Sequence, residues 1–148
     1  HMKPTIFHGD LHVGNVIKTG DDFKLIDWRQ SFGNRIDIGD IYYDLAKMLH
    51  AFMLPHESLR NFEFVVEKTQ EHHVWYYYKE NKFAKIYIDH IENFCIQNNL
   101  DFSRVQLLCS IVYLNMSPLH PSPYKDLLYY LGKKRLYEYV KTKNSSNN

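Results

Sequence analysis

The feature that most constrains the fold of this chain is a change of hydrophobic period at Asp40. Upstream of it, short apolar runs alternate with small polar clusters: Thr5-Ile6-Phe7, His8-Gly9-Asp10, Val16-Ile17-Lys18, then Phe23-Lys24-Leu25-Ile26-Asp27-Trp28. The β-leaning runs on either side of Thr19-Gly20-Asp21-Asp22 predict a hairpin, because Gly and Asp tolerate the positive φ of tight turns. Downstream, Ile41, Leu45, Met48, Leu49 and Phe52 recur at helical spacing. Asp37 or Asp40 stands where an N-cap belongs, and Pro55 closes the element. A small β-rich front followed by a mostly helical body is an α+β plan. The 148 residues are the length of one domain, or of a large piece of one, and 45% hydrophobic content suffices for a core.

The body itself reads in four pieces. Over about 61–79, Phe62, Phe64 and Val66, then Val74, Tyr76 and Tyr78, alternate with polar neighbours. They predict a second hairpin turning at Thr69-Gln70-Glu71-His72; a helix is the competing reading, since Gln and Glu favour it. Helical spacing returns over about 80–98 and again over 103–115, where Ser103 takes the N-cap position. Pro118, Pro121 and Pro123 make a rigid connector, and a last helix covers roughly 123–140. Residues 141–148 are polar, without an apolar anchor, and are expected to form a disordered tail.

Charge and cysteine usage exclude several classes. Eighteen Lys and Arg against seventeen Asp and Glu leave a net charge of +1, whereas a phosphate-neutralising nucleic-acid binder shows a clear basic excess. No apolar run approaches the roughly 20 residues of a membrane span, and no signal peptide opens the chain. No nucleic acid and no membrane is therefore expected as a partner. Two cysteines far apart make no disulfide framework. Cys95 and Cys109 read as core residues in a reducing, cytoplasmic setting. Twelve Tyr and 16% aromatics are read as compositional bias before function.

Chemistry is concentrated in His8-Gly9-Asp10-Leu11-His12-Val13-Gly14-Asn15 and in Leu25-Ile26-Asp27-Trp28. An Asp in a Gly-flanked loop can accept a proton from a hydroxyl. An Asn carbonyl and a second carboxylate are hard oxygen ligands suited to Mg²⁺, which takes one or two carboxylates plus substrate phosphates and waters. A hairpin carrying Asn15 at one end and Asp27 at the other would return Asp27 to the loop. Base and metal ligands would then line one cleft, the equipment for moving a phosphoryl group from a nucleotide to a hydroxyl.

These motifs resemble the catalytic signature of the aminoglycoside phosphotransferase and choline kinase family. The resemblance covers about residues 5–46, with Gly39-Asp40 and Asp44-Leu45-Ala46 extending it. It implies the C-terminal lobe of a protein-kinase-like fold over 3–140. It also implies Asp10 as catalytic base, His8 as the residue orienting the loop, and Asn15 and Asp27 as ligands of Mg²⁺ with ATP or GTP. Asp27-Trp28 takes the place of the Asp-Phe-Gly motif, and Val13 stands where the family often has Pro. The implied acceptor is a small-molecule hydroxyl, on a sugar or an amino alcohol. An acidic lobe attracting a polycationic antibiotic has no support in the near-neutral charge. His1-Met2 reads as an expression scar. The N-terminal nucleotide lobe of such kinases does not precede His8, so this lobe is expected to be inactive alone and to need that missing lobe as partner.

Other readings stand beside this one. A non-catalytic kinase-like binding module would use the same lobe without turnover, and a metal-dependent phosphoester hydrolase could be built on His8, Asp10, His12 and Asp27. His8 and His12 are four apart, which on a helix suggests zinc, but Gly9-Asp10 favours structural hydrogen bonding. His72-His73 read as a solvated turn. Arg29 and Arg35 read as surface ion-pairing residues that could alternatively meet an anionic substrate. Asp40 and Asp44 fit helix capping or pairing to a buried cation. Trp75-Tyr76-Tyr77-Tyr78 fits packing of a hairpin on the helices, with stacking on a ligand as the alternative.

Overall fold

Strand pairing at Asp40 ties the front of the chain to its helical body. The structure, a computed structural model, describes residues 4–31, 33–36, 38–69 and 73–145. In it β1 (Pro4–Thr5) runs antiparallel to β4 (Gly39–Asp40), with Pro4 opposite Asp40 and Thr5 opposite Gly39. Between them a 3-10 turn (Val13–Asn15) leads into the hairpin β2 (Val16–Thr19) and β3 (Asp22–Leu25). Val16 faces Leu25 and Thr19 faces Asp22, so the ribbon returns the chain to the end of the loop it left. Most of this hairpin is exposed, Phe23 and Leu25 included.

Asp40 caps α1 (Ile41–Met53) by accepting the Tyr42 amide, and Arg104 pairs with its other oxygen. Asp37, the alternative cap, lies outside the described residues. Leu45, Ala46, Leu49 and Met53 bury the apolar face of α1, and Leu54 ends it before Pro55. A short α2 (His56–Arg60) follows, which apolar spacing did not announce. β5 (Phe64–Lys68) and β6 (Val74–Tyr78) then pair antiparallel, Phe64 opposite Tyr78, so the helical reading of this stretch is overturned. Tyr76 and Tyr78 pack on the core while Trp75 and Tyr77 stay exposed, the alternation of a half-buried ribbon. Gln70, Glu71 and His72 of the expected turn lie outside the described residues.

α3 (Ala84–Gln97) starts four residues later than its spacing suggested. Asn81 carries the preceding turn: its carbonyl accepts the Ala84 amide and its side chain accepts the Phe83 amide. α4 (Phe102–Met116) is capped by Asp101, not Ser103: the carboxylate accepts both the amide and the hydroxyl of Ser103. A carboxylate at the cap satisfies the first-turn amides and complements the helix dipole, which moves the start two residues upstream. A 3-10 turn (Ser117–Leu119) precedes α5 (Tyr124–Ser145). This helix runs past 140, correcting the expected tail as far as residue 145; residues 146–148 lie outside the described part. No helix of the described residues is long and apolar enough to cross a membrane.

The core is built where α1, α4 and α5 meet. Leu49, Val105, Leu127 and Leu128 are essentially buried, each contributing about 1.5–3 kcal/mol of transfer free energy. Cys95 and Cys109 sit there as buried thiols, and burial pushes Cys109 up to about 12. Gly132 lets α5 close on α4: a Cβ there would lie 2.9 Å from Leu114 Cγ and 3.0 Å from the Ser110 carbonyl oxygen.

Candidate active site

The loop after β1 is held by hydrogen bonds more than by apolar packing. Buried Asp44, on the first turn of α1, accepts the amides of His8 at 2.7 Å and Gly9 at 2.8 Å, one on each oxygen. The cap of its helix is Asp40 instead, and among the described residues Asp44 meets two backbone amides rather than a cation, which corrects both uses expected for it. The His8 ring is buried and fully used: Nδ1 accepts the Asp10 amide at 3.2 Å, so Nε2 carries the proton and donates to the Ile26 carbonyl at 2.8 Å. The His8 carbonyl accepts the Arg29 amide at 2.9 Å. One histidine thus bridges the loop to the far end of the hairpin, with the Trp28 ring 4.8 Å away. Gly9 has φ +80°, and a Cβ on it would fall 2.6 Å from Arg29 Cβ, so only glycine fits.

Asn15 and Asp27 are brought to the same end of the ribbon. Asn15 is buried; its Nδ2 donates to the Asp10 carbonyl at 3.0 Å, and its own carbonyl accepts the Ile26 amide at 3.0 Å. Its amide nitrogen thereby faces the loop, which leaves Oδ1 as the atom suited to a cation. Asp27 follows directly, exposed, at φ +59° in the left-handed region, between Ile26 bonded to Asn15 and Arg29 bonded to His8. Asp is among the residues that tolerate this conformation, and such positions cluster at functional sites. An amide oxygen and a carboxylate are hard donors of the kind Mg²⁺ takes when phosphates and waters complete the shell, and the Ile26–Asn15 backbone bond brings the segments that carry them together. Among the described residues no group of three His, Cys, Asp or Glu could hold a metal ion.

Asp10 is the most heavily engaged side chain of the loop. Lys47 Nζ lies 2.6 Å from Oδ1 and Arg29 Nη2 lies 2.9 Å from Oδ2. Burial alone would raise its pKa, but hydrogen bonds and charge from Lys47, then Arg29, outweigh that and hold the carboxyl below its ordinary value. Two cavities meet at this triad: one of about 420 Å³ and one of about 330 Å³ share Asp10, Arg29 and Lys47 in their walls. His12 lines the larger one. Its Nδ1 accepts the Gly14 amide at 3.1 Å, and burial, only partly offset by Asp10, lowers its pKa. His50, one turn beyond Lys47, is pushed down to about 4 by burial and then by the Lys47 charge.

Sequence reasoning assigned Arg29 chiefly to surface ion pairing, and it does pair, but with the candidate base at the cleft. Lys47 was missed altogether. Its signal is a polar stripe, Tyr43, Lys47 and His50, at helical spacing along a helix whose other face is apolar. Asp44 shows that a buried carboxylate can be satisfied by two backbone amides as well as by a cation. The hydrolase arrangement fails at His8, since both ring nitrogens are already committed and none is left for a metal.

Residues 1–65 match the model of a phosphotransferase enzyme family. The chain is similar to that family over the stretch that holds His8, Asp10, Asn15, Asp27, Arg29, Asp44 and Lys47. Comparison with curated proteins and with solved structures finds no match.

Proposed function

We propose that this chain is the catalytic lobe of a small-molecule kinase, in the manner of a protein-kinase-like C-terminal lobe, transferring the γ-phosphoryl of ATP or GTP to a hydroxyl. The observation that supports the reading is the hydrogen-bond network linking His8 to Asp10, Ile26 and Arg29, and Asn15 to Asp10 and Ile26, which ties the cleft-lining Asp10 to Asn15 and to the segment that carries Asp27. In this reading Asp10 accepts the acceptor's proton as its oxygen attacks phosphorus, and the bridging P–O bond breaks with its electron pair leaving on the nucleoside diphosphate. Asn15 Oδ1 and the Asp27 carboxylate would hold Mg²⁺, which when bound neutralises phosphate charge. His8 acts on neither substrate; it fixes the height of Asp10 against Ile26. Of the sugar and amino-alcohol acceptors, a sugar suits the site better, because Asp10 is the one carboxylate among the described residues lining the two cavities and is already paired.

The test is ADP formation by protein expressed from the whole gene, with Mg²⁺, ATP or GTP and a panel of hydroxyl compounds. Asp10→Ala is expected to lower turnover by about 10²–10⁴-fold, the usual weight of a general base; undiminished turnover would reject that role. One observation favours a second reading, a non-catalytic binding module: both Asp10 oxygens are occupied by cations. That reading predicts ligand binding without ADP formation, in the wild type as in Asp10→Ala.

A further inference from the structure

The cavities at Asp10 have a charge pattern that bears on what enters them. Among the described residues lining the two, Asp10 is the single carboxylate, against Arg29, Lys47 and the imidazoles of His12, His50, His56 and His120. Asp10 cannot serve a cationic ligand while Lys47 and Arg29 stand at 2.6 and 2.9 Å. Nor do the described residues make an aromatic cage for a quaternary amine, since among them Tyr43 is the one Phe, Tyr or Trp lining one cavity and Tyr124 the one lining the other. The Arg29 side chain is 59% exposed, lines both cavities and spends one nitrogen on Asp10, so the fork has further donors to offer a ligand there. Leu54, Met116 and Leu119 add apolar surface to the larger cavity for a carbon skeleton. About 420 Å³ is the size of a small-molecule site.

We propose that the acceptor is a polyhydroxy compound bearing an anionic group, phosphate or carboxylate, that docks on Arg29 and Lys47 beside Asp10. This rests on the phosphotransferase reading for the word acceptor, but the anion site stands on the charges alone. Docking of the anion draws the cations off Asp10, whose carboxylate is then open to the neighbouring hydroxyl: the hydroxyl proton passes to Asp10, the O–P bond forms, and the bridging P–O bond of the nucleotide breaks. Charge-assisted, bidentate geometry makes Arg29 the main anchor and Lys47 a point charge behind it.

Calorimetric titration of the whole-gene protein, without nucleotide, with glycerol 3-phosphate, glycerate, glycerol and choline tests the site. Both anions, or the one whose geometry fits, are expected to bind at least about tenfold tighter than glycerol, equivalent to 1.4 kcal/mol. Choline is expected not to compete, Arg29→Ala to remove the preference, and Arg29→Lys to restore part of it. Glycerol 3-phosphate against glycerate separates a phosphate from a carboxylate site. Choline binding as tightly as the anions, no gain over glycerol, or an unchanged preference in Arg29→Ala overturns the proposal. The same compounds with Mg²⁺ and ATP separate the two claims: anion binding without ADP rejects phosphoryl transfer and leaves the anion site standing. Transfer to glycerol or choline as efficient as to glycerol 3-phosphate keeps the transferase and rejects the anionic acceptor.

Discussion

Asp44 is the residue on which the loop's geometry turns. Its two oxygens satisfy two adjacent buried amides, and charge-assisted bonds of this kind contribute about 1.5–3 kcal/mol each. Asp44→Ala strands both donors and is expected to cost about 3 kcal/mol in urea unfolding, with faster hydrogen exchange at the His8 and Gly9 amides. Asp44→Asn keeps one acceptor but turns an NH₂ toward the second amide, so its loss should be smaller. Unaltered exchange at both amides in Asp44→Ala would show that something else holds the loop. Lys47 sets the charge state of Asp10. With Lys47→Met the burial that raises Asp10 loses its largest counterweight, so the carboxyl should titrate at higher pH in a carboxyl-carbon NMR titration. An Asp10 midpoint that does not move would assign the depression to Arg29 instead.

Elements were legible where one period dominates and blurred where a single local bond decides. The alternation of Val74, Tyr76 and Tyr78 marks β6, and the spacing of Leu45 and Leu49 marks α1, because each pattern states which face is buried. Helix starts are set by competing side chains. Ser103 is a good cap by type, yet Asp101 reaches the same amide with a charged oxygen and holds Ser103's hydroxyl as well. Asp101→Ala is therefore expected to cost about 1 kcal/mol, while Ser103→Ala, which removes a donor and leaves the cap, should cost less. Thermal melts of the two variants decide this, and equal losses would contradict it. Gly132 carries a sign that propensity gets wrong. Ala is better than Gly inside a helix by about 1 kcal/mol. Here the new methyl would meet Leu114 Cγ at 2.9 Å and the Ser110 carbonyl, neither of which can yield cheaply. Gly132→Ala should destabilise by about 1–3 kcal/mol, as overpacked sites do; a gain in melting temperature would mean that α4 and α5 separate at little cost.

Across the whole molecule, the loop residues could be picked out as a set because His8, Asp10, Asn15 and Asp27 lie within one short stretch and its returning ribbon. What could not be read was everything supplied from α1: Asp44 under the loop, and Lys47 and His50 along the cleft, since which helix face meets the loop is a matter of tertiary packing. That packing makes stability depend on pH in a definite direction. His50 is buried against Tyr113, whose hydroxyl donates to the His50 carbonyl, and its ring donates to the Lys47 carbonyl. Its pKa falls from 6.5 to about 4, so the unfolded chain binds a proton that the fold refuses between those values. Stability from this group is complete above pH 6.5 and declines as the pH falls toward 4, by roughly 2–3 kcal/mol at pH 4.5. His12, also lowered, acts in the same sense. Asp10 acts lower still: its folded pKa lies below 3.8, so its contribution is present above that value and lost only under strong acid. Urea unfolding at pH 7.5 and 4.5 should show the loss in the wild type and a shallower one in His50→Gln, whose side chain does not titrate. A pH dependence that is the same in both proteins would place the acid-sensitive group away from the α1–α4 contact, and the buried neutral imidazole would no longer explain it.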